Sequence, residues 1–148
     1  MPLGQAEGRK ERCTKEVEKI SVETNSRTEL VCITDKIGAV VSKNKIKDGV
    51  CFIFCPHTTA GLTINENADP SVQHDIADTL SRVIPQDRGY THAEGNSDSH
   101  IKSSLLGTTL SIFIESGKLC LGRWQGIYFC ESDGPRSREV WIKLIDGR

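Results

Sequence analysis

The sequence predicts an α+β domain, with a mostly antiparallel sheet of six to eight strands and two or three helices on one side. Three observations carry that expectation. Short runs of β-branched and aromatic residues, such as Val50-Cys51-Phe52-Ile53-Phe54-Cys55 and Ile127-Tyr128-Phe129-Cys130, recur between turn-forming residues. Apolar residues spaced three and four apart mark helices between some of these runs. A chain of 148 residues is the common size for one domain and buries enough apolar surface to need no staple.

Taken in order, residues 1–12 are polar and charged and read as a flexible lead, and residues 13–148 form a single domain. Val17 to Val22 and Leu30 to Thr34 read as a hairpin around Asn25-Ser26-Arg27. Asp35 offers an N-cap for a helix through Ile37, Val40 and Val41, ending near Lys45. Lys47-Asp48-Gly49 turns into Val50 to Cys55, whose nearly unbroken apolar run predicts burial on both faces. Leu62 to Asn65 is a further strand. Asp69 as N-cap and Pro70 at the first helical position open a helix with Val72, Ile76, Leu80 and Val83 on one face, ended by Pro85. A long polar loop precedes a short helix capped by Ser97 or Asp98 and closed by Gly107. Thr109 to Ile114, Gly126 to Cys130 and Val140 to Ile145 complete the strands.

Composition excludes several function classes. With 19 basic and 20 acidic side chains the net charge is −1, which is no footprint for nucleic acid or an anionic membrane. No apolar run approaches the roughly 20 residues that span a bilayer, and the start lacks the core of a signal peptide, so a cytoplasmic protein is expected. None of Cys13, Cys32, Cys51, Cys55, Cys120 and Cys130 forms a C-x-x-C pair, and four lie in apolar runs. Reduced thiols packed as small hydrophobes are expected rather than a disulfide framework.

All four histidines, His57, His74, His92 and His100, lie between positions 57 and 100, interleaved with Asp69, Asp75, Glu94 and Asp98. Imidazole with carboxylate suits zinc and related divalent ions and also serves general acid–base chemistry. His57-Thr58-Thr59 ends a strand, where side chains reach a sheet mouth. A plain hairpin turn with a surface histidine is the competing reading. His74 and Asp75 are adjacent on a helix and diverge by about 100°, so His74 is held in reserve as a ligand. His92 in the loop and His100 on the short helix can converge on one ion. The start of that helix, with Lys102, Ser103 and Ser104, offers a seat for phosphate, although such a surface is usually only solvated. Arg136 and Arg138 follow Glu131 and present forked donors for an anion. A thiol enzyme built on Cys55 with His57 lacks an evident orienting residue.

The run His57-Thr58-Thr59-Ala60-Gly61-Leu62-Thr63-Ile64-Asn65-Glu66-Asn67-Ala68-Asp69-Pro70, then His74-Asp75, Glu94-Gly95-Asn96, His100-Ile101-Lys102-Ser103-Ser104-Leu105-Leu106-Gly107 and Gly122-Arg123-Trp124-Gln125-Gly126-Ile127, resembles the YjbQ-like family. The resemblance spans Thr14 to the end, with several motifs in order. It implies a YjbQ-like fold, a homotrimer, sites lined by the histidine motifs near subunit boundaries, and a secondary thiamine phosphate synthase activity. That activity joins a pyrimidine methyl pyrophosphate to a thiazole phosphate with loss of pyrophosphate.

On this basis a metal-containing enzyme acting on a small phosphorylated metabolite is expected. His57, His92 and His100 are the metal ligands, Lys102, Ser103, Ser104 and Arg138 hold phosphate, and Glu66, Asp75 and Glu131 hold an ion or a proton. The ion is zinc or magnesium, with the reservation that magnesium prefers oxygen ligands. The alternative is a non-catalytic trimeric binding module for an anionic metabolite or a partner protein. Two departures stand out. Ser97-Asp98-Ser99 precedes His100 where many relatives have Met-Pro, and the variable stretch after Glu131 leaves Arg136 or Arg138 open as the anion contact.

Overall fold

A computed structural model describes residues 16–147, so the lead over residues 1–12 and Cys13 lie outside the described residues. The elements are β1 (Glu18–Glu23), β2 (Glu29–Cys32), α1 (Thr34–Lys43), β3 (Gly49–Phe54), β4 (Ala60–Glu66), α2 (Pro70–Val83), α3 (Ser97–Leu106), β5 (Thr109–Glu115), β6 (Lys118–Leu119), β7 (Gln125–Glu131) and β8 (Ser137–Asp146). They form two sheets, a five-stranded one in the order β1-β8-β3-β5-β6 and a three-stranded one in the order β2-β7-β4. Every strand pair is antiparallel. An α+β fold is therefore present, with its strands divided between two packed layers.

Period-two alternation explains the inner layer. Along β8, Arg138, Val140, Ile142 and Leu144 turn inward, and Cys51, Ile53, Ile112 and Ile114 do so on β3 and β5. They meet Leu62, Ile127 and Phe129 of the smaller sheet and Ile37, Val40 and Val41 of α1. The expectation that the Val50 to Cys55 run is buried on both faces is corrected: Phe52 and Phe54 are 37% and 40% exposed. The helices pack chiefly on the three-stranded sheet and on β6, which leaves the outer face of β3 open. The strand enclosed on both faces is instead β7, where all residues from Gly126 to Glu131 are buried.

Cap chemistry sets the helix ends. Asp69 accepts from the Ser71 amide at 2.9 Å and Pro70 opens α2, as the sequence predicts. Asp35 does not cap α1; it sits in the first turn after Ile33. Likewise neither Ser97 nor Asp98 caps α3. Asn96 holds that position, and its side-chain amide donates to Asp133 at 2.9 Å rather than folding back on the helix. Gly107 closes α3 at φ 96°, a conformation that favours glycine.

Gly49, at the start of β3, has no room for a side chain, since a Cβ would stand 2.1 Å from the Ile145 carbonyl oxygen on β8. Gly49→Ala is expected to destabilise the fold by at least the ~1–3 kcal/mol of ordinary overpacking, because rigid backbone must move. The midpoint of urea unfolding checks this.

Candidate functional site

Four chain segments converge at one end of the molecule. The stretch leaving β3 brings Pro56, His57, Thr58 and Thr59, the loop before α3 brings Glu94 and Asn96, α3 brings His100, and the β7–β8 connection brings Asp133, Arg136 and Arg138. Together they line a predominantly polar hollow of about 350 Å³. A second hollow of about 490 Å³, lined by Tyr90, Thr91, His92, Ser97, His100 and Ile101, shares His100 with the first. The His92 and His100 rings meet edge to face at 5.5 Å.

The wall of the first hollow is held by a buried ion pair. Arg138, 6% exposed, donates from Nε to Glu131 Oε1 at 2.8 Å and from Nη2 to both Glu131 Oε2 and Thr59 Oγ1. Its Nη1 has no partner among the described residues. Glu131 also accepts from Thr24 Oγ1 and from the Ser132 and Asp133 amides. Burial alone would raise the Glu131 carboxyl, but the hydrogen bonds from Arg138 and Thr24 and the Arg138 charge outweigh it and hold the carboxyl below its ordinary range.

A second network lies under α3. Asp98 is fully buried and accepts from Arg27 through both carboxylate oxygens, at 3.0 and 3.1 Å, and from Lys102 Nζ at 3.0 Å. Its carboxyl is likewise lowered, with burial opposing and the two cations prevailing. Ser99 Oγ donates to the Ser132 carbonyl and ties this network to the β7–β8 connection.

The sequence-assigned residues thus fall into three groups. His57, His100, Arg136 and Arg138 share the first hollow, and His92 lies beside them in the second. Others are engaged within the fold. Lys102 is buried on Asp98, Ser103 donates to the Ala60 carbonyl, Ser104 donates to the His100 carbonyl, and Glu131 stands behind Arg138. Glu66, His74 and Asp75 are not in the hollow lining: the first is at the end of β4, and the other two are exposed on α2. Sequence reasoning misses Thr24, Arg27 and Thr59, whose roles depend on long-range contacts. The four-residue spacing of Asp98 and Lys102 is a readable signal for their pair.

Among the described residues, no group of three histidine, cysteine, aspartate or glutamate side chains is placed to hold one metal ion. His92 and His100 supply two adjacent rings, and His57 does not join them as a third donor. Cysteine chemistry is disfavoured too. Cys55 is buried and its thiol pushed up by that burial, and Cys130 is pushed up to about 12. Cys32, Cys51, Cys55, Cys120 and Cys130 are free thiols. No helix among the described residues is long and apolar enough to cross a membrane.

Comparison with known proteins agrees with the arrangement of motifs around the hollow. The family model described as UPF0047 protein YjbQ-like matches residues 18–147. The chain belongs to the YjbQ-like family. A UPF0047 protein of Methanocaldococcus jannaschii is 58% identical to this YjbQ-like chain over 127 residues, covering 86% of this chain and 92% of its relative. The UPF0047 protein YugU of Bacillus subtilis is 45% identical over 127 residues, covering 85% and 96%. The crystal structure of a YjbQ/UPF0047 family protein from Clostridium acetobutylicum superposes with a TM-score of 0.85 at 50% identity, covering 86% of this chain and 99% of the other. A YjbQ-like chain from Sulfolobus solfataricus, at 32% identity, gives 0.84 with coverage of 88% and 96%.

Proposed function

We propose that the hollow at the end of β3 binds a small phosphorylated metabolite and acts on it as an enzyme. The observation that carries this reading is the Arg138 guanidinium. It is buried and oriented by Glu131 and Thr59, yet Nη1 remains without a partner among the described residues, in a wall shared with Arg136, His57 and His100. A pinned guanidinium with a free N–H is suited to a phosphate oxygen, because its orientation is set before the ligand arrives. His100 lines both hollows and is the side chain placed to exchange a proton with a ligand lying across them.

The phosphate contacts assigned from sequence to Lys102, Ser103 and Ser104 pass in this proposal to Arg138 and Arg136. The sequence-assigned ion or proton carriers Glu66 and Asp75 are left outside the reacting centre, and Glu131 serves by orienting Arg138. One chain does not bring together a third metal donor, so no step is routed through zinc or magnesium. The reaction implied by the family resemblance breaks the bond from a pyrimidine methyl carbon to pyrophosphate and joins that carbon to the thiazole nitrogen. Its substrates are the first pair to test.

A homotrimer is part of the proposal. What supports self-association is the apolar outer face of the large sheet, where Val50 stands between Phe113 and Ile145, and Phe54 packs with Trp141 at 5.7 Å. Sedimentation equilibrium at three chain masses is the expected result.

The second reading, a trimeric module that captures an anionic metabolite without turnover, is favoured by one observation. The carboxylates of the hollow wall are partly committed, with Asp133 held by Asn96 and Arg136. Turnover of the pyrimidine pyrophosphate and thiazole phosphate pair, measured beside thermal stabilisation by each alone, separates the two. Product that disappears in His100→Ala supports the enzyme. Stabilisation without product supports the module.

A further inference from the structure

His57 occupies a gap in the sheet, and the way it fills that gap determines what it can offer a ligand. The β3–β8 ladder runs from Gly49 opposite Asp146 to Phe54 opposite Trp141 and stops there. Pro56, which has no amide proton to donate, follows at once. β8 continues past that point, paired on its other side with β1, where Glu139 stands opposite Ser21. The Glu139 amide and carbonyl therefore face a position that β3 has vacated. The His57 ring takes it: Nε2 lies 3.0 Å from the Glu139 nitrogen and 3.1 Å from the Glu139 oxygen.

The two contacts require different tautomers. With the proton on Nε2, the ring donates to the Glu139 carbonyl, but two N–H groups then face each other at 3.0 Å and the ring blocks the amide from any acceptor. With the proton on Nδ1, Nε2 accepts from the amide, and the carbonyl of this exposed residue can turn to water. Unpaired backbone N–H groups are the rarer and costlier case, while a carbonyl has two lone pairs to satisfy separately. Burial first, and then the Arg138 charge, hold His57 below the ordinary imidazole value. They outweigh the Glu139 carbonyl and the carboxylates of Glu131 and Glu139, so the ring is neutral at pH 7. Nδ1 has no partner among the described residues, and the ring forms part of the hollow wall beside Arg138 and Arg136.

We infer that His57 serves the hollow as a neutral hydrogen-bond donor through Nδ1–H, with its Nε2 lone pair committed to the Glu139 amide. It is then a binding residue for an oxyanion, neither a base nor a metal ligand through Nε2. The inference rests on the anion reading above for its ligand, but not for its tautomer.

Long-range proton–nitrogen correlation spectra of ¹⁵N-labelled wild-type protein at pH 7 report the tautomer directly, with the His57 signals identified by their loss in His57→Gln. A protonated Nδ1 beside an unprotonated Nε2 is the expected pattern. The reverse tautomer, or a doubly protonated ring at pH 7, overturns the inference. Inorganic phosphate titrated into two variants tests the role. His57→Asn places an amide donor near the Nδ1 position and should retain phosphate affinity within about threefold. His57→Gln places its amide near the Nε2 position, keeps a partner for Glu139 and should lose about three- to tenfold, the worth of one hydrogen bond. The opposite ranking overturns the donor role. Wild-type protein that binds neither phosphate nor its esters removes the anion reading, and with it the donor role, while the tautomer is still decided by the spectra.

Discussion

Replacing Asp98 with Asn is expected to cost about 3–5 kcal/mol of folding stability, the loss typical when one member of a buried ion pair is removed. The carboxylate is fully buried and faces two cations, of which Lys102 has only 3% of its side chain exposed. Neutralising Asp98 strands the Lys102 ammonium without a counter-charge. Lys102→Met should be much milder, because Arg27 still balances Asp98. Urea unfolding at pH 7 measures both, and equal losses would contradict this account. The same carboxyl contributes to acid sensitivity. Its folded value lies below the ordinary one, so its stabilisation is present in full above about pH 4–5 and is lost as pH falls through the lower folded value. Glu131 and Asp133 shift in the same direction and add to the effect. Unfolding midpoints followed from pH 7 to pH 3 should fall steeply in the wild type and less steeply in Asp98→Asn.

Replacing Arg138 with Gln is expected to weaken phosphate-ester binding by about 10- to 100-fold, in keeping with ~1.5–3 kcal/mol for a hydrogen bond to a charged group. It also leaves Glu131 buried opposite a neutral amide, which separately costs about 3–5 kcal/mol of stability. The two effects can be told apart. Glu131→Gln keeps the Arg138 charge but releases its orientation, so it should lose stability and only part of the affinity. Arg138→Lys keeps a cation but not the fork that meets Glu131 and Thr59 together, so it should recover stability more than binding. Calorimetric titration with a phosphate ester, made where each variant is still folded, gives the ranking. Unchanged affinity in Arg138→Gln would remove the proposed anion contact.

Much of the fold is legible in the amino-acid sequence, wherever the determining chemistry is local. Asp69-Pro70 opens α2, and Gly107 closes α3 because a cap and a positive φ are properties of one or two residues. Strand alternation identifies the inward residues of β5 and β8 for the same reason. The Val50 to Cys55 run misleads, since an apolar run shows that a strand can be covered on both faces but not what covers it. In this chain the helices lie mainly on the other sheet.

The site is legible in its members more than in its contacts. His57, His92, His100, Arg136 and Arg138 belong to motifs that do meet at one end of the molecule. Lys102, Ser103 and Ser104 look like phosphate donors because a short helix offers such groups on every side, and only packing decides which side faces inward. Asn96 would ordinarily cap its helix, but Asp133, brought in from the β7–β8 connection, takes its amide instead.

The sequence alone determined the kinds of element, their order, the family, and the set of polar side chains available for chemistry, because each depends on local pattern or on motifs in sequence. Tertiary structure alone decided which of those side chains remain available. Arg27 reaches Asp98 across 71 positions and His57 meets Glu139 across 82. A hydrogen bond between residues so far apart leaves no local trace in the chain, so its donor and acceptor look equally available until the fold brings them together.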